Sequence, residues 1–391
     1  MSRRPIRLLV AIALALAASP APRAARTDET RVTAEVQPEY ARALKRVYLS
    51  VPDPYRRPGD APVDPHRHVE FARNAYAELI AALPGYTAIE LAVSDTVEPG
   101  LVDALRTAAG PRPFRVHVIE RLHADLDMWA QDLGERVAVG GEDRFLVPMP
   151  VDERVAYNGE LSRSRQRVAR QVFGDRIVDA GFVFEGGNLA FDRVDGRTRV
   201  FIGYNDVRLT IENYRRRGRT VDAAAVSGLV ADAFDGADVT VVGRETQSPL
   251  LFHLDQAFVL LGDGVAVVNR IVGPPSREQR QLEATAARLK ALGYRLLPID
   301  HTQADVESYR VSTNAVPFVD ETTGRRTIIF PVFPGEVRKG APAGRLTREV
   351  LAGKALAAYR AYESAGYLPV PIRDFAHLVG GNTHCIANVL D

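Results

Sequence analysis

His253-Leu254-Asp255-Gln256-Ala257-Phe258-Val259-Leu260-Leu261-Gly262-Asp263-Gly264-Val265-Ala266-Val267-Val268-Asn269-Arg270 is the stretch that decides how the chain is read. Two apolar runs flank Gly262-Asp263-Gly264, residues that readily supply the positive φ angles of a tight hairpin turn. The pattern recurs. Leu189–Tyr204 turns at Val194-Asp195-Gly196-Arg197, Ala315–Phe333 at Thr322-Thr323-Gly324, and Leu133–Pro150 at Gly140-Gly141-Glu142-Asp143. A polar residue stands just ahead of each hairpin: Asp132, Asn188, Asp255 and Asn314. Cys385 stands in the same relation to a last strand, Ile386–Leu390. The intervals between these five residues are 56, 67, 59 and 71.

Between the hairpins, Leu161–Phe173, Val221–Phe234, Arg277–Leu292 and Leu346–Ala365 carry apolar residues at helical spacing. The chain therefore reads as an α/β repeat of hairpin plus helix, too long in period for a solenoid. The last unit has one C-terminal strand, which the segment Arg46–Val51 is placed to complete, closing a ring. In such a ring the residues entering the hairpins meet, so Asp132, Asp255 and Cys385 are expected to converge. The competing reading is a mixed α/β protein with loosely regular hairpins.

Composition narrows the function classes. The chain has 391 residues, 46% hydrophobic and 25% charged, which excludes wholesale disorder, collagen and coiled coil. Fifty basic residues against 49 acidic leave a formal charge of +1, with no basic patch to suggest nucleic acid as a partner. The single cysteine, Cys385, rules out an internal disulfide, a cysteine-rich zinc site and an iron–sulfur cluster. Residues 2–7 are basic, Leu8–Ala18 is an apolar run of 11, and small residues and prolines follow to Ala25. This layout is that of a signal peptide over residues 1–25, ahead of one domain over 26–391. The expectation is an exported protein, periplasmic or secreted, with no membrane association after cleavage.

Four segments carry chemistry. In His253-Leu254-Asp255, strand geometry would put a histidine and a carboxylate on one face. Glu185-Gly186-Gly187-Asn188 sets an acid and an amide beside two glycines that permit close approach. Trp129-Ala130-Gln131-Asp132 pairs an aromatic face with an acid, a combination suited to a planar cation. Gly380-Gly381-Asn382-Thr383-His384-Cys385 ends in a thiol, the strongest sulfur nucleophile once ionised. Singly, each has an ordinary structural explanation: a capping aspartate, a glycine turn, a core tryptophan, a small buried thiol. Together they make an inventory for holding a guanidinium between carboxylates and attacking its carbon.

On these residues the sequence resembles the guanidino-group-modifying superfamily, in its agmatine deiminase and peptidyl-arginine deiminase branches. Trp129-x-Gln131-Asp132, Glu185-Gly186-Gly187-Asn188, His253-x-Asp255 and the terminal Gly-Gly-Asn-x-His-Cys at 380–385 are similar to that family's motifs and occur in its order. Ser308-Tyr309 through Asn314 and Pro331-Val332-Phe333 match more loosely. The resemblance implies a five-bladed, pseudo-symmetric α/β propeller of pentein type. It implies Cys385 as nucleophile, His253 as general acid and base held by Glu185, and Asp132 and Asp255 as ligands of the guanidinium. Trp129 and Asn188 are expected beside the substrate. The implied reaction is hydrolytic deimination, of arginine in peptides or of agmatine, releasing ammonia through a covalent Cys385 intermediate. No cofactor and no metal are expected.

The sequence departs from the agmatine-type pattern in two places. Gln131 stands where arginine is usual, which is closer to the vertebrate peptidyl-arginine enzymes, and Leu133-Gly134-Glu135 replaces Thr-Gly-Pro. Two other functions fit the same residues. One is an amidinotransferase, with an amine in place of water. The other is a non-catalytic arginine-binding propeller. The sequence carries no signal for oligomeric state. A reactive thiol in an exported chain is open to oxidation, so activity is expected to need a reductant after storage in air.

Overall fold

Leu189–Val194 and Arg197–Gly203 form an antiparallel pair, from Leu189 opposite Ile202 to Val194 opposite Arg197. Asp195 and Gly196 between them sit at φ 50° and 79°. A two-residue turn with both angles positive matches the right-handed twist of the strands it joins. The chain then runs through helices Tyr204–Arg216 and Ala223–Ala233 and returns as Asp238–Val242, parallel to the second strand. This computed structural model describes residues 33–51, 65–120, 126, 128–152, 159–243, 250–339, 346–379 and 381–390. The expected signal peptide and Gly380 lie outside them.

The same order, an antiparallel pair followed by a helix and a parallel third strand, builds four sheets along the chain. Sheet I joins Glu135–Val139, Glu142–Val147 and Ile177–Asp179. Sheet II is the one just described. Sheet III joins Phe258–Leu260, Val265–Ile271 and Arg295–His301. Sheet IV joins Val316–Val319, Arg326–Val332 and Leu368–Arg373. Sheet V takes its first strand from the other end of the chain. Asn388–Val389 pairs antiparallel with Arg46–Ser50, Val389 opposite Val47, and Ala88–Ser94 and Phe114–Ile119 follow in parallel. The pairing of the N- and C-terminal strands is the one the sequence reading expects. Sheet V has four strands, where the sequence reading named only two for this unit.

Helices Gly159–Phe173, Ala223–Ala233 and Arg277–Ala291 agree with three of the four helical readings to within two residues. The fourth begins later, at Gly353, because residues 348–350 form a separate tight turn and Leu351 bridges to Val337. The last strand is also shorter than Ile386–Leu390. Residues 383–386 form a turn, and the Asn314 carboxamide oxygen accepts the N–H groups of His384 and Cys385. Those groups are therefore spent on the turn and not on a ladder.

Apolar faces of neighbouring sheets and helices bury each other. Phe182, Phe184, Val200, Ile202, Val226 and Phe234 form one such cluster, each 0–1% exposed. Burying a side chain of that size contributes about 1.5–3 kcal/mol, enough in aggregate to fix where each hairpin begins. Among the described residues, no helix is long and apolar enough to cross a membrane.

Candidate active site

The residues that enter the hairpins do so on tight 3-10 turns. Ala130–Leu133 carries Gln131 and Asp132, Gly186–Asn188 follows Glu185, and Leu254–Gln256 carries Asp255 with His253 just ahead of it. The sequence reading had His253 and Asp255 on one face of a strand, and this is corrected. The His253 N–H donates to the Gln256 side-chain oxygen at 3.3 Å and the Ala257 N–H to the Leu254 carbonyl at 2.8 Å, which closes a turn before the strand starts. The outcome for the side chains is nevertheless convergence. Ligand atoms of His253, Asp255 and Cys385 lie within 4.8 Å of one another, and so do those of Asp132, Glu185 and His253.

Close backbone approach makes this possible. A Cβ on Gly187 would lie 2.7 Å from His253 Nδ1 and 2.9 Å from Asp255 Oδ2. A Cβ on Gly186 would lie 2.1 Å from the Gln131 carbonyl oxygen. The two glycines are the only residues that let the Glu185 turn press between its neighbours.

His253 Nε2 and Glu185 Oε2 are 2.9 Å apart. The Arg165 guanidinium donates to Glu185 Oε1 at 2.8 Å and to Asp132 Oδ2 at 3.1 Å, and so bridges the two acids. Cys385 is buried at 6% exposure. Its Sγ receives a hydrogen bond from Asn314 Nδ2 at 3.2 Å and lies 3.7 Å from Asp255 Oδ2. On the far side of Asp255, His384 Nδ1 is 3.1 Å from the same Oδ2, and His384 Nε2 is 3.0 Å from Glu39 Oε1.

Burial and charge set the protonation states. Burial alone would raise Glu185, but its hydrogen bond with His253 and the charge of Arg165 hold it well below the usual carboxylate range. Burial would lower His253, yet Asp132, the Cys385 thiol and Glu185 together raise it well above its ordinary value, so the ring is an imidazolium. Burial, reinforced by the negative charge of Asp255, pushes the Cys385 thiol up to about 12. The resting pair is thus a thiol beside an imidazolium.

Two further expected residues have identifiable neighbours. The Asn188 side chain is buried against Gly203, where a Cβ would meet its Oδ1 at 1.9 Å, and it bonds to Asp206. The Trp129 ring packs on Gly381, whose Cβ would lie 2.3 Å from it, and shares a small cavity with Arg165. Three residues of the site escaped the sequence reading. Arg165 is one arginine among many on a helix, and Glu39 precedes every motif. Asn314 was placed in the repeat, but without a role at the thiol. Glu135, one of the departures from the agmatine-type pattern, accepts from Arg42 at 2.6 Å in the interior.

His253, Asp255 and Cys385, or Asp132, Glu185 and His253, have the donor types that zinc takes. These are the same residues to which the resemblance assigns catalysis and guanidinium binding.

A mixed α/β chain of five small sheets, with a buried thiol, an imidazolium and paired acids where the hairpins begin, has the fold of the guanidino-modifying deiminases. No protein-family profile matches the chain, and no curated protein matches it in sequence. Solved structures do. The Campylobacter jejuni agmatine deiminase is 12% identical with a TM-score of 0.64, over 91% of this chain and 95% of that one. A cysteine-to-serine variant of that enzyme with substrate bound is 11% identical with a TM-score of 0.62, over 91% and 96%. A Porphyromonas gingivalis protein provisionally named as an arginine deiminase is 14% identical with a TM-score of 0.59, over 90% and 96%. At these identities the likeness is one of fold.

Proposed function

We propose that the chain hydrolyses a guanidino group to a ureido group, with Cys385 as nucleophile, and that its five sheets are the blades of a closed propeller. One observation carries the functional reading. Four separate segments deliver a thiol, an imidazolium and three acids to one buried place, and two of those acids already clasp a guanidinium, that of Arg165. Carboxylates so arranged favour a planar cation through paired, charge-assisted hydrogen bonds.

In this reading Asp255 and Asp132 hold the substrate guanidinium with its carbon facing Sγ. The incoming cation lowers the thiol pKa, and the sulfhydryl proton leaves to solvent. The thiolate attacks the guanidinium carbon. The His253 imidazolium gives its proton to one nitrogen of the tetrahedral adduct, and that nitrogen leaves as ammonia, so a cationic amidino-thioether remains on Cys385. Neutral His253 then takes a proton from water, hydroxide adds to the same carbon, and the C–S bond breaks. The hydroxyl proton restores the departing thiolate to the thiol, while the proton first released to solvent makes ammonia into ammonium. A cationic guanidino group and water become a neutral ureido group and ammonium, so charge and atoms balance. Glu185 keeps the imidazole oriented throughout.

The substrate is arginine within a peptide or a small guanidino compound such as agmatine, and the protein is exported. The test is a panel of agmatine, free arginine and an arginine peptide, assayed for ammonia and for the mass change of deimination. Activity on at least one, lost in Cys385→Ala, is expected. Full activity in Cys385→Ala would sink the mechanism, and a new guanidino compound formed when glycine is added would point to amidino transfer. Tight binding without ammonia release would favour a binding protein. Recovery of the mature chain in the cytosolic fraction would sink the export.

A further inference from the structure

Residues 33–45 form a strap that touches all five sheets. Glu35 bridges to Ala138 of sheet I. The Tyr40 hydroxyl donates to Asp192 of sheet II at 2.5 Å, and its ring packs on Gly262 in the turn of sheet III, where a Cβ would lie 2.7 Å away. Val319 of sheet IV donates its N–H to the Arg42 carbonyl at 2.8 Å. The Arg42 guanidinium donates to Glu135 of sheet I and to the Val389 carbonyl of sheet V. A strap needs only such contacts to act as a clasp. This one also carries Glu39, whose carboxylate lies 3.0 and 3.1 Å from His384 Nε2. His384 immediately precedes the thiol, and its other ring nitrogen meets the Asp255 oxygen that lies 3.7 Å from Sγ.

We infer that Glu39 is a positioning residue of the active site, acting through His384 to hold Asp255 beside Cys385 in its guanidinium-binding pose. The inference rests on the reading of Cys385 as nucleophile and Asp255 as guanidinium ligand. Without a charged partner on Nε2, His384 would lose one of the two carboxylates that keep it protonated against burial, and a neutral His384 would leave Asp255 facing the thiol uncompensated. Glu39, Tyr40, Gln131, Glu135, Asp255 and His384 all line one pocket of about 40 Å³, in which His384 and Asp255 are buried and Glu39 is partly exposed. Burial of His384 and Asp255 strengthens the charge interactions they make. The charged and titratable groups that face this chain are Glu39 and Arg42 from the strap, Glu135 from sheet I, Asp255 and His253 from the entrance to sheet III, and Cys385 itself. Consistent with the geometry, burial opposes the charge on His384, but Glu39 and Asp255 raise its pKa to about 10.

The test compares Glu39→Gln, nearly the same shape without the charge, with Glu39→Asp, which keeps it. The readout is the rate of Cys385 alkylation by iodoacetamide against pH, which needs no substrate. Glu39→Gln is expected to slow alkylation about tenfold at pH 8, a displacement of the profile by about one pH unit, with Glu39→Asp close to wild type. Folded Glu39→Gln with the wild-type profile would overturn the inference, as would equal losses in Glu39→Gln and Glu39→Asp. Should Glu39→Gln fail to fold, imidazole NMR of the wild-type chain decides. A spin label on the lone thiol identifies the nearby histidines. A protonated His384 at pH 8 supports the role, and a neutral one overturns it. If the wild type releases no ammonia from any guanidino compound, the proposed function fails, while the alkylation profiles still judge the role of Glu39.

Discussion

Gly187 offers a direct test of how the site is assembled. Its backbone lies outside the left-handed region, so alanine adds only a methyl group and no backbone strain. That methyl would lie 2.7 Å from His253 Nδ1, 3.1 Å from His253 Cγ and 2.9 Å from Asp255 Oδ2. Ordinary contact begins at 3.4 Å. The imidazole must therefore recede by 3.4 − 2.7, about 0.7 Å. The turn has no room to retreat instead, because Gly186 is already against the Gln131 carbonyl. A misplacement of about 1 Å in a catalytic group costs on the order of 10²-fold in rate, so Gly187→Ala should lower kcat/KM by about 10- to 100-fold. The crowding itself should cost about 1–3 kcal/mol of stability. Ammonia release from the best substrate measures the first and thermal unfolding the second. The control is Gly228→Ala, in open space within helix Ala223–Ala233, expected to keep activity and to gain about 0.5–1 kcal/mol. A folded Gly187→Ala chain within threefold of wild-type kcat/KM would refute the placement of His253 against this turn.

Arg165→Gln removes the cation shared by Asp132 and Glu185. Breaking a buried pair in this way costs about 3–5 kcal/mol, and calorimetry that finds less than 1 would contradict the bridge. Gly381→Ala puts a methyl 2.3 Å from the Trp129 ring. Trp129 is the single tryptophan, so the emission spectrum should shift, and an unchanged spectrum counts against that contact. His301 is lowered to about 4 by burial first and the Lys354 charge second. It is neutral in the folded chain, whereas the unfolded chain protonates near 6.5. Stability from this group is therefore present above pH 6.5 and lost as pH falls towards 4, and His301→Gln should flatten the Tm–pH curve over that window. With the thiol held near 12, the thiolate at pH 7 is on the order of 10⁻⁵ of the total, against a few per cent for free cysteine. Peroxide should then inactivate the resting protein far more slowly than it oxidises free cysteine, contrary to the sequence-based expectation of ready air oxidation. Equal rates would contradict the buried thiol.

Much of the fold was legible because hairpins announce themselves locally. Asp195-Gly196 fixes a turn by its own backbone preferences, and the alternation on either side fixes the faces. The third, parallel strand of each sheet has no such mark: Asp238–Val242 and Arg295–His301 gain their partners only after a helix returns the chain. The polar residues at the hairpin entrances were legible for a different reason. A site built at equivalent turns repeats its spacing, so Asp132, Asp255 and Cys385 could be aligned before their contacts were known. Arg165 and Glu39 repeat nothing. Arg165 acts through contacts with two other segments, 20 and 33 residues away, and Glu39 through its contact with a segment 345 residues away. A contact of that kind leaves no periodic trace in the chain.

The charges explain why the site needs those two residues. Three carboxylates, Asp132, Glu185 and Asp255, surround one thiol and one imidazole. Left alone they would repel one another and hold the thiol protonated against any ligand. Arg165 neutralises part of that charge on one side and the His384 imidazolium part on the other, each from a buried position. What remains is enough to attract a single cation and not enough to unfold the site. In the proposed reaction the thiol stays protonated until a guanidinium arrives beside Asp255, and that guanidinium is itself the electrophile. On that proposal ligand binding and nucleophile activation are one electrostatic event, which would confine the reactive sulfur to the moment when its target is in place.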